Sequence, residues 1–216
     1  MLLQSQLPNW TALAPVLIVG LTALLLLVVD SIDPDTTNST LLAGVSVVGS
    51  LASLATAGWF LVAGTGQVAT GGEITLYGDA LVVDGMALFF MAIFASVTAM
   101  VSIASFDYLR GEAYQAEFYT LVMFAATGMG LMAAANSLAT AFVALELASL
   151  PSYALVAFLK RNRGSVEAGL KYFLIGAVSS AVFAFGISLV YAATGSMVFG
   201  DVAEALSGTE FVGVAG

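Results

Sequence analysis

The stretch LATAFVALELASLPSYALVAFL, residues 138–159, carries a single charge, Glu146. Uncharged residues run from Ala139 to Leu145 before it and from Leu147 to Leu159 after it. A helix needs about 20 apolar residues to cross the hydrocarbon core of a bilayer. This stretch has that length and ends against Lys160, Arg161 and Arg163. It predicts a membrane-spanning helix with one acid inside it.

Outward from it, five more segments have the same character: 13–29, 41–62, 86–106, 118–135 and 166–193. The fold class expected is therefore all-α, a polytopic transmembrane bundle of six helices occupying residues 1–193. Asn136 and Ser137 alone separate the fourth and fifth segments, which must form a tight antiparallel hairpin. Residues 64–84, Gly-rich and polar at their ends, read as an exposed loop. Residues 194–216 form a Gly-rich tail with a short amphipathic piece at 202–206 and no clear stop, so a truncated chain is expected. The first segment lacks a basic flank and an A-x-A site, and reads as a retained helix rather than a signal peptide.

Composition agrees with a lipid solvent. Of 216 residues, 60% are hydrophobic and 9% charged, with a mean hydropathy of +1.03; a soluble domain keeps about a quarter of its residues charged. The absence of Cys and His removes disulfides, thiolate metal sites, Cys nucleophiles and imidazole mechanisms. The carboxylates lack metal-ligand spacing, and no Gly-rich phosphate loop, GxSxG elbow or CxxC occurs. No cofactor and no metal is expected in this chain. A net charge of −9 with five Lys and Arg excludes a basic nucleic-acid surface. Acidic, Lys-poor loops suit high salt and predict a halophilic archaeon.

The basic residues set an expected orientation. Arg110 lies between the third and fourth segments, and Lys160, Arg161 and Arg163 between the fifth and sixth. By the positive-inside rule that side is cytoplasmic and the N-terminus outside, in a multi-pass plasma-membrane protein. The sequons at Asn9 and Asn38 then fall on opposite sides, and only the first is open to glycosylation. Asp107, Glu112 and Glu117 surround Arg110 as solvated loop charges.

Three residues inside the spans stand out. Glu146 lies roughly 12 Å down its helix at 1.5 Å per residue. Desolvation disfavours an ionised carboxylate, so a group held between its two states can take up and release a proton; a protonated Glu that only bonds to a neighbouring helix is the plain alternative. Pro151 removes the rung to the Leu147 carbonyl and is expected to kink the helix one turn away. Water or a neighbour must then satisfy that carbonyl, which makes Pro151 part of the same polar spot or a packing kink. Lys171 sits six residues past Ser165, the expected N-cap, roughly 9 Å down. Its stem can snorkel to the interface, and Glu167 four residues earlier can pair with it on the helix surface. Glu146 and Lys171 differ in depth by roughly 10 Å, too far for contact but within reach of a water chain. Alternating acid and base inside a bundle marks proton relays. The small residues Gly128, Gly130, Gly176, Ser179 and Ser180 read as close-packing positions without chemistry.

Three motifs carry a family resemblance: EFYTLVMFAATGMGLMAAANSL at 117–138, FVALELASLPSYALVAF at 142–158 and SVEAGLKYFLIGAVSSAVFAFGISLVYAATGS at 165–196. Together they resemble the N subunit of complex I, the proton-pumping NADH–quinone oxidoreductase. The resemblance implies an antiporter-like subunit of the membrane arm, a non-redox part of a proton translocase. Its partners are then other membrane-arm subunits, the bilayer and a quinone bound elsewhere in the complex. It implies that Glu146, in the L-E-L-x-S-L-P motif, is a pumping residue and that Lys171, in the LKYF motif, is linked to function. Leu145 stands where related L and M subunits and Mrp-type antiporters carry Trp, which favours the N type. Family members have about fourteen helices, so the lysine that usually partners the glutamate lies outside this chain. The rival readings are a subunit of an Mrp-type cation/proton antiporter and a structural fragment that does not pump.

Overall fold

The computed structural model describes residues 9–33, 38–65 and 72–207. Six helices are long and apolar enough to cross a membrane. They are α1 (Ala14–Ile32), α2 (Ser39–Val62), α3 (Gly85–Tyr108), α4 (Gln115–Ala133), α5 (Leu138–Val156) and α6 (Arg163–Thr194). A short 3-10 turn, Asn9–Leu13, leads into α1, and a nine-residue helix, α7 (Phe199–Ser207), follows α6.

Local chemistry fixes the starts. Pro15 occupies the first turn of α1, where a missing N–H costs nothing. Asn38, Asp84 and Ser137 cap α2, α3 and α5 by accepting backbone N–H bonds from Leu41, Ala87 and Thr140. Helix α6 begins earlier than expected. Asn162, not Ser165, is its cap and accepts from the N–H groups of Gly164 and Ser165, while the Ser165 hydroxyl donates to the Val156 carbonyl at 2.7 Å. Lys171 therefore lies roughly 13.5 Å past the cap of α6, most of a turn further along than the sequence reading places it.

Residues 64–84 do not form a simple exposed loop. Strands β1 (Ile74–Leu76) and β2 (Leu81–Val83) pair antiparallel as a hairpin, and Leu81 and Val83 are buried. The turn between them runs through Tyr77, Gly78 and Asp79, all at positive φ. The hairpin is a lid on the bundle. Val82 N–H donates to the Ala134 carbonyl, Asn136 N–H to Ala80 O, and the Asn136 side chain to Asp79 O at 2.9 Å. Phe199 N–H donates to Asn136 O, so the start of α7 joins the same knot.

Helices α1 to α4 pack on one another, α5 packs on α4, and α6 packs on α5 and α7. Two buried clusters mark the two ends of the bundle. Leu26, Leu42, Leu109, Tyr119 and Phe158 lie toward the basic loops; Val16, Ala57, Leu81, Val83, Leu88 and Met91 lie under the hairpin. With no hydrophobic drive between helices in lipid, close backbone approach and hydrogen bonds hold them. Ser53 donates to the Pro15 carbonyl at 2.7 Å, linking α2 to α1, and Gly49 leaves room for Thr22, which a Cβ would meet at 2.4 Å.

Candidate functional site

Glu146 sits on the face of α5 that meets α6. Four contacts set an antiparallel register between the two helices. A Cβ on Gly169 would touch Ala157, and one on Gly176 would touch the Tyr153 hydroxyl. Ser180 donates its hydroxyl hydrogen bond to the Glu146 carboxylate, and the rings of Phe142 and Phe183 lie 5.9 Å apart. The small residues at Gly169 and Gly176 bring the helices close enough for a serine, with its one-carbon reach, to touch the acid. The sequence reading gives Ser180 a packing role alone; the structure makes it the partner of Glu146.

Glu146 is half-buried rather than enclosed. On its far side, α4 presses on the backbone of α5. A Cβ on Gly128 would lie 2.4 Å from Ala148 N, 2.7 Å from Leu147 C and 2.8 Å from Ala144 O. This is the turn that carries Glu146 and the Leu147 carbonyl deprived of its rung by Pro151. Helix α5 runs continuously through the buried Pro151. Ser149 and Ser152 donate back to the carbonyls of Leu145 and Ala148, so Ser180 alone among these serines reaches across to Glu146.

Lys171 is not brought to Glu146. The register sets it near the level of Leu155, roughly 13 Å along the axis. Its ammonium lies 2.5 Å from Glu167 on the exposed face of α6, the surface pair expected from their spacing.

The acids near the basic end divide differently from expectation. Arg110 pairs with Asp107 at 3.5 Å, but Glu117 pairs with Lys160 at 2.7 Å and ties α4 to the loop after α5. Lys160 also lies 4.3 Å from the Tyr114 ring centroid, and the Asp30 carboxylate at the end of α1 faces both Lys160 and the Glu117 backbone N–H. Among the described residues, no cluster of His, Cys, Asp and Glu could hold a metal ion.

A bundle of six helices able to span a membrane, with a carboxylate in the seam between two of them, defines the class: a polytopic membrane protein with an ionisable group between its helices. The family described as NADH:quinone oxidoreductase/Mrp antiporter, transmembrane, matches residues 135–214, which hold α5, α6 and Glu146. The F(420)H(2) dehydrogenase subunit N of Methanosarcina mazei is 46% identical over 124 residues, covering 57% of this chain and 25% of that protein. The NADH-quinone oxidoreductase subunit N 2 of Symbiobacterium thermophilum is 34% identical over 212 residues, 95% of this chain and 41% of its own length. A chain of respiratory complex I from Thermus thermophilus superposes with a TM-score of 0.68 at 29% identity, covering 89% of this chain and 41% of that one. The chain is thus N-like, similar to part of the antiporter-like membrane subunit of complex I and of the F(420)H(2) dehydrogenase. It spans between a quarter and about two-fifths of the length of these relatives.

Proposed function

We propose that this chain forms part of a membrane-arm, antiporter-like subunit of a redox-driven oxidoreductase of the complex I type, and that Glu146 is a station on its proton path. The observation that carries the reading is the Ser180–Glu146 hydrogen bond between two spanning helices. A hydroxyl both donates and accepts. It can donate to the ionised carboxylate and, after rotating, accept from the protonated one. Either state then keeps a partner, so a proton can arrive or leave without stranding a polar group in lipid.

Ser180 does the holding, and the step itself is a change of charge on Glu146. Redox chemistry elsewhere in the complex would alter the field along the membrane arm and bias the carboxylate toward one state. A cation outside this chain would favour ionisation, and its withdrawal would favour uptake of a proton. Lys171, nearer the basic end and exposed, is suited to pass the proton to or from that side. Its separation from Glu146 calls for intervening water.

The test is Glu146→Gln in the full-length protein within its assembled complex. In sealed vesicles proton translocation should be lost while the complex still assembles. Undiminished pumping would end the assignment. An Mrp-type antiporter subunit is the second reading, favoured by the breadth of the matching family, which covers both kinds. Co-purification with quinone-reducing subunits, rather than with other Mrp-type subunits, separates the two.

A further inference from the structure

Of the five Lys and Arg in the chain, three have carboxylate partners: Arg110, Lys160 and Lys171. Arg161 and Arg163 have none among the described residues, in a chain whose net charge is −9. Both line one open cavity of about 1060 Å³ at the basic end of the bundle, between the loop before α4 and the loop before α6. We propose that this cavity binds the phosphate of an anionic lipid headgroup, with Arg161 and Arg163 as its ligands.

The walls are built and held. On one side Gln115, 1% exposed, donates from its side-chain amide to the carbonyls of Leu109 and Glu112 at 2.9 and 3.1 Å, which pins the loop 109–114. On the other, Ser165 ties the start of α6 to Val156, and Asn162 folds over the first amides of α6. Tyr114, in the left-handed region at φ 63°, turns its ring toward Lys160 at the rim. Lys160 is already engaged by Glu117, which leaves the two guanidinium groups as the free cations.

The chemistry and the position select the ligand. Guanidinium groups match phosphate oxygens in fork geometry. The positive end of the α6 dipole adds to their field. The cavity lies where α4, α5 and α6 meet the membrane boundary, and Phe158 and Leu159 give it an apolar floor. The helices that end at the cavity carry exposed apolar side chains, Val156 on α5 and Leu170 on α6. A phosphate carried on acyl chains fits this gradient, and a free phosphate would use only the rim. Basic pockets between spanning helices bind anionic headgroups in this way.

The experiment uses the whole assembled complex in nanodiscs of phosphatidylcholine with added phosphatidylglycerol. Native mass spectrometry reads the phosphatidylglycerol retained after detergent extraction. The double variant R161Q/R163Q should lose retained phosphatidylglycerol by about thirtyfold, at roughly 1 kcal/mol for each of the two basic residues near an anionic surface. Phosphatidylcholine should be unaffected, and inorganic phosphate should not displace the lipid. Should the double variant fail to assemble, R161K/R163K keeps the charge without the fork and should retain an intermediate amount. Equal retention by wild type and variant would overturn the proposal, as would displacement by inorganic phosphate alone. So would loss of a neighbouring acidic subunit with lipid unchanged. Lipid retention is independent of proton translocation, so the two readings fail separately.

Discussion

Glu146 and Ser180 act as a pair whose geometry depends on one hydroxyl. Removing it leaves a half-buried carboxylate without its partner, and a hydrogen bond to a charged group is worth about 1.5–3 kcal/mol. Ser180→Ala in the full-length subunit should therefore cut proton translocation about tenfold, while Ser180→Thr, which keeps the hydroxyl, should retain most of it; vesicle acidification assays check both. Lys171 makes a contrasting case, because an exposed i,i+4 pair adds little to stability. Lys171→Met should leave the melting temperature within about 1 °C in a thermal-shift assay and lower translocation in the same vesicles. Two residues of the candidate site stand out in the sequence. Glu146 and Pro151 contrast with apolar surroundings at any depth, whereas Lys171, equally conspicuous, lies on an exposed face away from Glu146. Ser180 was not legible, because serines in spanning helices usually bond back to their own helix. Its neighbour Ser179 does so, donating to Ile175 O at 2.9 Å. Only the face each residue occupies separates the two, and that face is set by how α6 rolls against α5.

Between elements, glycine contacts divide into those that fix a helix pair and those that face open space. Gly128 meets the main chain of α5, which cannot move aside as a side-chain tip would. Gly128→Ala should push α4 from α5, cost about 2 kcal/mol in line with overpacked cores, and disturb the Glu146 turn; resistance to denaturing detergent measures it. Gly44 has nothing within 4 Å of an added Cβ. Gly44→Ala should be neutral or stabilise by about 0.5–1 kcal/mol in the same measurement, through the backbone entropy glycine loses in a helix. The six spans were legible because twenty apolar residues have few other fates. The hairpin was not, since its strands are three residues each and its turn is as Gly-rich as a loop. It takes its order from Ala134 and Asn136, more than fifty positions away. The sequence pattern places the start of α6 three residues late because Asn162 and Ser165 are both good caps, and only the position of Val156 decides which one caps.

Across the whole molecule, burial is uneven. In the most apolar window of α4, 56% of residues are buried inside the chain, against 6% in α5 and α6. Within this chain, α5 and α6 therefore lie outside the core formed by α1 to α4. In the isolated chain, hydrogen exchange in nanodiscs should protect α4 before α6, with opening of α5–α6 preceding loss of α1–α4. Uniform protection across all six would contradict this ranking.

The two ends of the bundle are fastened by different forces. The basic end is joined by the ion pair of Lys160 and Glu117, partly exposed charges; the opposite end is joined by the main-chain and amide bonds around Asn136. The Debye length falls from about 10 Å at 0.1 M to about 3 Å at 1 M ionic strength. Concentrated electrolyte should therefore slacken the first fastening and spare the second, so that helix separation at the basic end follows ionic strength while the hairpin end holds.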